Sequence, residues 1–130
     1  MNIPHELRYT ADHEWLRVEK GEGIVGITDY AQGELGDIVF VDLPELGAEL
    51  MQGKPFGSIE AVKAAADLYA PISGEVVAVN GLLDQQPELI NKSPYGDGWI
   101  VRIKIADEQE IDTLLPPEEY KRMVAQVKGE

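Results

Sequence analysis

Hydrophobic positions along the 130-residue chain fall into short runs separated by turn residues about every ten positions. The punctuation is Gly21 and Gly23, Gly36, Pro44 and Gly47, Gly53 and Pro55, Pro71 and Gly74, then Asn80 and Gly81. Such spacing predicts many short strands. EWLRVEK and GIVGIT flank a glycine turn as a hairpin, and IVFVDL follows Gly36 as a buried strand that ends at PELG. Alternation is cleanest from Trp99 to Ile105, with Ile100, Arg102 and Lys104 on one face and Trp99, Val101, Ile103 and Ile105 on the other. A strand is predicted there. In TDYAQGELG, Thr28 or Asp29 can cap, Ala31 and Leu35 lie four apart, and Gly36 can end the turn, which predicts one short helix.

The last quarter changes character. DEQEIDTLL reads as a short acidic helix, and PPEEYKRMVAQV starts with proline and early carboxylates, as a helix start favours. Tyr120, Met123, Val124 and Val127 form its apolar stripe. Residues 107–130 are therefore expected to be a helical C-terminal segment packed on a β core.

The stretch GSIEAVKAAADLYAPISGEVVAV, Gly57 to Val79, admits two readings. Ile59, Val62, Ala66 and Tyr69 are spaced three, four and three apart, which predicts a helix. Yet Pro55 and Pro71 bound the segment closely, and EVVAV beyond it is rich in β-branched residues suited to a strand. The choice decides the status of Lys63, which lies among Ala61, Val62, Ala64, Ala65 and Ala66, with Glu60 and Asp67 further out. An arbitrary lysine is a solvated surface residue. A lysine with small, uncharged neighbours can also be an attachment point, because its long stem ends in an amine that can be acylated. IEAV from Ile59 and VVAV from Val76 form a faint internal echo, as two similar β motifs paired in one flattened barrel would.

Composition narrows the function. Eleven basic against twenty-four acidic side chains give a formal net charge of -13, which opposes binding to nucleic acid or to anionic membranes. Basic partners or small cationic ligands suit it better. The absence of cysteine excludes disulfides, cysteine-ligated metals and thiol nucleophiles, so any sulfur redox chemistry must be imported. His5 and His13 are the only histidines, and no nucleophile elbow, phosphate loop, dinucleotide fingerprint or metal-spaced histidine pair occurs. Glu118 and Glu119 read as solvated surface in so acidic a chain. An enzyme is not expected. The length suits a single domain over 1–130 with a core of its own. No targeting segment or membrane-length apolar run is recognised, so a cytoplasmic protein is expected, and a mature organellar form is compatible with the same reading.

Three separated stretches, HEWLRVEKGEGIVGITDYAQGELGDIVFVDLPELG, GSIEAVKAAADLYAPISGEVVAVN and PELINKSPYGDGWIVRIKI, closely resemble the H-protein family of the glycine cleavage system over nearly the whole chain. The resemblance rests on four motifs in order: His-Glu-Trp, Gly-Ile-Thr-Asp, Glu-x-Val-Lys-Ala and Pro-Tyr-Gly-x-Gly-Trp. It implies a mainly β barrel-sandwich hybrid of the biotinyl and lipoyl-carrier type, with one short internal helix and C-terminal helices. By the same resemblance Lys63 carries lipoic acid in amide linkage at the tip of a hairpin, with strands from about Phe56 to Val62 and from about Ala65 to Ala70. That replaces the helix reading of the segment. A tip without Gly or Asn suits a type I turn. Glu60, Val62 and Ala64 would be read by the lipoyl-attaching enzymes.

The implied protein is a carrier whose chemistry belongs to its cofactor. A pyridoxal-phosphate glycine decarboxylase loads an aminomethyl group, a tetrahydrofolate-dependent aminomethyltransferase takes the methylene and releases ammonia, and a dihydrolipoyl dehydrogenase reoxidises the dithiol. A monomer is expected. Because the loaded group bears a cationic amine and breaks down in water, a sheltering cleft with a counter-charge is needed. The resemblance places Glu14 beside that cleft, and Asp67 is a second candidate. Trp15 and Tyr69 read as core or rim packing, and Tyr30 stands where many members carry histidine. Competing readings are the lipoyl domain of a 2-oxoacid dehydrogenase, which usually has aspartate before its lysine, and a biotin carrier, which flanks its lysine with methionines. Others are a lipoyl relay protein of the same family, donating lipoyl groups to other apo-proteins, and an unmodified interaction domain.

Overall fold

The computed structural model describes residues 2–127. Among these described residues nine strands form two antiparallel sheets. In chain order these are β1 (Arg8–Tyr9), β2 (Glu14–Glu19), β3 (Glu22–Ile27), β4 (Ile38–Asp42), β5 (Glu49–Leu50), β6 (Pro55–Ala61), β7 (Ala65–Tyr69), β8 (Gly74–Val79) and β9 (Val101–Ile105). The six-stranded sheet runs β1-β2-β3-β9-β8-β5 and the three-stranded sheet β4-β6-β7. The fold is mainly β with a few helices, as expected, and the two sheets of the described residues do not join into a closed barrel.

The first hairpin forms about the glycine turn, as expected. Lys20 and Gly21, with φ of 50° and 80°, supply the left-handed pair that a two-residue connection between twisted strands requires. Both faces of β3 and of the first half of β2 are covered. Leu16, Val25 and Ile27 join the larger core beneath the three-stranded sheet, while Trp15 and Ile24 join a second cluster with Leu7, Tyr9, Tyr120 and Val124. Coverage on both sides explains why GIVGI is buried without interruption rather than alternately. Helix α1 (Asp29–Leu35) follows, capped by Thr28, whose Oγ1 accepts from the Ala31 N–H at 3.2 Å, and ended by Gly36.

Several expectations are corrected. The helix that periodicity predicts across Lys63 does not form, and the hairpin that the resemblance implies does: β6 and β7 pair with Ile59 opposite Ala66 and Glu60 opposite Ala65. The segment buries Ile59 and Leu68 but leaves Val62 76% exposed, so the apparent helical stripe does not lie on one face. IVFVD is not a fully buried strand. Val39 and Phe40 are half exposed, because β4 is an edge strand and a bulge between Ile38 and Phe40 breaks its alternation. Trp99 packs with the second cluster rather than beside Val101. Ile100 is buried just before β9, its N–H donating to the Val25 carbonyl at 2.8 Å. IEAV and VVAV lie in β6 and β8, in different sheets, and do not pair.

DEQEIDTLL forms a 3-10 helix at Glu108–Thr113, capped by Asp107. Before β9, residues 81–100 contain a 3-10 turn at Gly81–Asp84 and helix α2 (Leu89–Lys92), neither of which the hydrophobic pattern announced. Helix α3 (Pro117–Val127) packs Tyr120, Val124 and part of Met123 against the second cluster, while Val127 at its end is exposed. Residues 128–130 of the expected C-terminal segment lie outside the described residues. Among the described residues no helix is long and apolar enough to cross a membrane.

Candidate functional site

Lys63 occupies the joint between β6 and β7. The tip closes with the Ala61 N–H donating to the Ala64 carbonyl at 2.7 Å, and none of its residues has a positive φ, so neither glycine nor asparagine is needed. A second bond, from the Val62 N–H to the Asp37 carbonyl at 2.9 Å, rests the tip on the connection between α1 and β4. Lys63, Val62, Ala64 and Glu60 are all exposed. The lysine stem runs over Gly36, where an added Cβ would stand 2.9 Å from Lys63 Cε and 3.6 Å from Cδ. Gly36 has φ 79° and ψ -153°, a region effectively reserved for glycine.

Beside this joint a cleft of about 300 Å³ lies between α1 and the hairpin. Ile27, Ile59 and Leu68 give it an apolar floor, and Tyr30, Ala31 and Leu35 of α1 form one wall. Leu35 of the cleft wall immediately precedes Gly36, so the outer part of the lysine stem lies one residue from the cleft lining. Asp12, Glu14, Glu34 and Asp67 bring four carboxyl groups to the lining.

These carboxyl groups are not equivalent. Glu14 is 2% exposed, whereas Asp67 projects from β7 at the surface. Glu14 Oε1 accepts from Thr10 Oγ1 at 2.6 Å, and Oε2 accepts from the Tyr69 N–H at 3.3 Å. Burial pushes the Glu14 carboxyl up to about 7, against the opposing effect of the bonds from Thr10 and Tyr69. Near neutral pH it can therefore hold a proton or release it when a cation arrives.

The floor is braced from the far side of the large sheet. Tyr120 of α3 stacks on Tyr9 with centroids 4.6 Å apart, and its hydroxyl lies 2.7 Å from Thr28 Oγ1 and 2.9 Å from His13 Nδ1. His13 has φ 73° and lies against Tyr30 with centroids 4.9 Å apart. Its burial pushes the imidazole below its ordinary value, favouring the neutral ring. Among the described residues no group of His, Asp and Glu is arranged to hold a metal ion.

The profile of the family described as Glycine cleavage H-protein matches residues 7–127. The chain belongs to this family. It is 56% identical over 126 residues to the glycine cleavage system H protein of Anoxybacillus flavithermus, covering 97% of this chain and 99% of that one. It is 58% identical over 125 residues to that of Geobacillus kaustophilus, covering 95% and 98%. Its fold matches the crystal structure of a glycine cleavage system H protein from Mycobacterium marinum with a TM-score of 0.85 at 38% identity, covering 98% of this chain and all of that one. Membership makes the chain a carrier by family and a component of a system with partner enzymes.

As an H protein, the chain has features that fit a lipoyl group: an exposed lysine at a hairpin tip, and a partly apolar cleft whose wall adjoins the residue under its stem. Glu14 and Asp67, 53 positions apart in sequence, line that one cleft. Trp15 is fully buried, donating Nε1–H to the Pro94 carbonyl at 3.0 Å, and Tyr69 is half-buried with its backbone bound to Glu14, so both sit as core or rim residues. Tyr30 lines the cleft and donates its hydroxyl to Glu34 at 3.2 Å. Sequence reasoning did not single out Thr10 or Tyr120 as supports of the site. Tyr120 was visible only as part of an apolar stripe, and nothing local marks its hydroxyl as a partner of residues 92 and 107 positions away.

Proposed function

We propose that Lys63 carries lipoic acid in amide linkage and that the chain serves in this form as the aminomethyl carrier of the glycine cleavage system, not as a catalyst. The observation that carries the reading is that the stem of an exposed tip lysine lies at the edge of a cleft containing a buried carboxyl group. The lipoyl group would supply the disulfide and thiol chemistry that a cysteine-free chain lacks.

The chain's own residues present and shelter that group. Glu60, Val62 and Ala64 form the exposed surroundings by which a lipoyl-attaching enzyme recognises Lys63. Ile27, Ile59 and Leu68 exclude water from the cleft floor. Glu14 gives up its proton to face the aminomethyl ammonium, and Asp67 at the rim adds a second negative charge. The partners are the pyridoxal-phosphate glycine decarboxylase, the tetrahydrofolate-dependent aminomethyltransferase, dihydrolipoyl dehydrogenase and the lipoyl-attaching enzymes. Residues 1–130 act as one monomeric carrier unit in the cytoplasm. A carboxyl group in the cleft suits a cationic aminomethyl load, which favours glycine cleavage over relay duty.

Intact mass tests the attachment. Protein incubated with lipoate, ATP and a lipoyl-attaching enzyme should gain one lipoyl increment, mapped to Lys63 and abolished by Lys63→Arg. No gain on the wild type would sink the carrier reading. Reconstitution with the decarboxylase and labelled bicarbonate should then give exchange into glycine; a lipoylated form without exchange would point to relay.

A further inference from the structure

The seat beneath Lys63 is built by a residue outside both the hairpin and the cleft. Asn91 of α2 donates Nδ2–H to the Gly36 carbonyl at 2.8 Å and to Gln32 Oε1 at 3.0 Å. Its Oδ1 accepts from the Ile38 N–H at 3.0 Å. One side chain thus grips the backbone on both sides of Asp37, the residue whose carbonyl receives the Val62 N–H of the lysine tip. Gly36 is also tied to α1, its N–H donating to the Gln32 carbonyl at 3.0 Å, and the Gln32 side chain is anchored to Asp29 at 2.8 Å.

We propose that Asn91 is a positioning residue for the group carried on Lys63. By fixing the Gly36–Ile38 joint it holds the surface on which the lysine methylenes lie, and so directs the arm along α1 toward the cleft mouth at Leu35. The inference rests on the reading that Lys63 is lipoylated. Its geometry follows from where the three bonds go: all end on α1 or on the α1–β4 joint. None is shared with the Thr10, Tyr69 and Glu14 bonds that shape the cleft floor. The Glu14 bonds and the arm seat are therefore separable by mutation. Gly36 itself cannot be tested cleanly, since its backbone conformation strains any other residue.

Asn91→Ala removes the grip. In the unmodified protein, NMR should show cross-peaks between the Lys63 ε-methylene and the Gly36 α-protons, and these should weaken or vanish in the variant. In lipoylated protein with a nitroxide on the reduced arm, the variant should show a larger mobile fraction. Its aminomethyl-loaded form, without partner enzymes, should break down roughly three- to tenfold faster, the size expected from losing a hydrogen bond that biases two arm positions. Asn91→Asp keeps an acceptor for the Ile38 N–H but has no donor for Gly36; it should behave like the alanine variant, and serves where alanine does not fold. Asn80→Ala is the control, because Asn80 Nδ2 bonds the Asp97 and Trp99 carbonyls, both at 2.8 Å, away from the arm. At temperatures where all variants are folded it should leave the arm readouts at wild-type values. Absence of the cross-peaks in the wild type, unchanged arm mobility in both Asn91 variants, or an equal effect of Asn80→Ala would overturn the inference. A wild type that gains no lipoyl mass removes the carrier reading and this inference with it. A lipoylated wild type insensitive to Asn91 removes this inference alone.

Discussion

Glu14 Oε2 accepts a hydrogen bond from the Tyr69 N–H at 3.3 Å, joining β2 of the six-stranded sheet to β7 of the lysine hairpin. The carboxyl group therefore sits at the seam between the two sheets as well as in the cleft lining. A change in its charge acts on both.

Replacing Glu14 by glutamine keeps the shape and removes the charge. The aminomethyl-loaded form of Glu14→Gln should break down roughly tenfold or more faster, given the usual strength of a hydrogen bond to a charged group. Lipoylation of Lys63 should proceed as in the wild type, since the lysine tip is exposed and its backbone bonds do not involve Glu14. Measuring formaldehyde and ammonia release and lipoyl mass side by side checks both; an unchanged lifetime removes Glu14 from the sheltering role.

The same carboxyl makes stability depend on pH. Unfolded, Glu14 loses its proton near 4.5; folded, burial keeps the proton on until about 7. Between those values the folded chain binds more protons than the unfolded chain, so this group's contribution to stability falls as pH rises from about 4.5 through about 7. The loss is on the order of 3 kcal/mol. Glu14→Gln should remove that slope and gain on the wild type between pH 5 and pH 8 in urea midpoints. His13, pushed below its ordinary value by burial, adds the opposite slope on the acid side. It is present in both proteins and cancels in the difference.

Tyr120→Phe preserves the stack on Tyr9 and deletes the hydroxyl that meets Thr28 and His13. The cost should be about 1–3 kcal/mol, because the buried Thr28 hydroxyl and the half-buried His13 ring each lose a partner. Thermal unfolding should show it as a midpoint lowered by roughly 3–5 °C per kcal/mol for a chain of this size. Lys63 should still be lipoylated at the wild-type rate, since Tyr120 contributes nothing to the hairpin tip.

Gly26 lies opposite Trp15 in the β2–β3 ladder, and a Cβ there would stand 2.7 Å from three atoms of the indole ring. Trp15 is fully buried and held by its bond to Pro94, so it has little room to give. Gly26→Ala should destabilise by about 1–3 kcal/mol. Equilibrium denaturation followed by tryptophan fluorescence measures it directly.

How much of this was legible depends on the range of the interaction. The β2–β3 hairpin and α1 were readable because their signals, two runs flanking a glycine turn and a Thr28 cap with Gly36 behind it, are local in the chain. The segment around Lys63 was misread by periodicity, because Ile59, Val62, Ala66 and Tyr69 fit a helix whose face has no core to meet. The family motifs corrected it, and the pairing of β6 with β7 and of β6 with β4 supplies the physical reason. The half-exposed centre of β4 was hidden because a bulge changes which side chains face inward without changing the residues themselves.

By itself, residue order determines the turn positions, the acidic and cysteine-free character of the surface chemistry, and the motifs that single out Lys63. Each is a property of a local stretch or of composition. Tertiary structure alone decides that Glu14 is buried at the seam, with its carboxyl raised to about 7, while Asp67 stays at the rim. It also decides that Asn91 reaches back 55 positions to Gly36 beneath the lysine stem. Burial and long-range hydrogen bonds arise only when the sheets and helices pack, so the local sequence around these residues carries no signal of them.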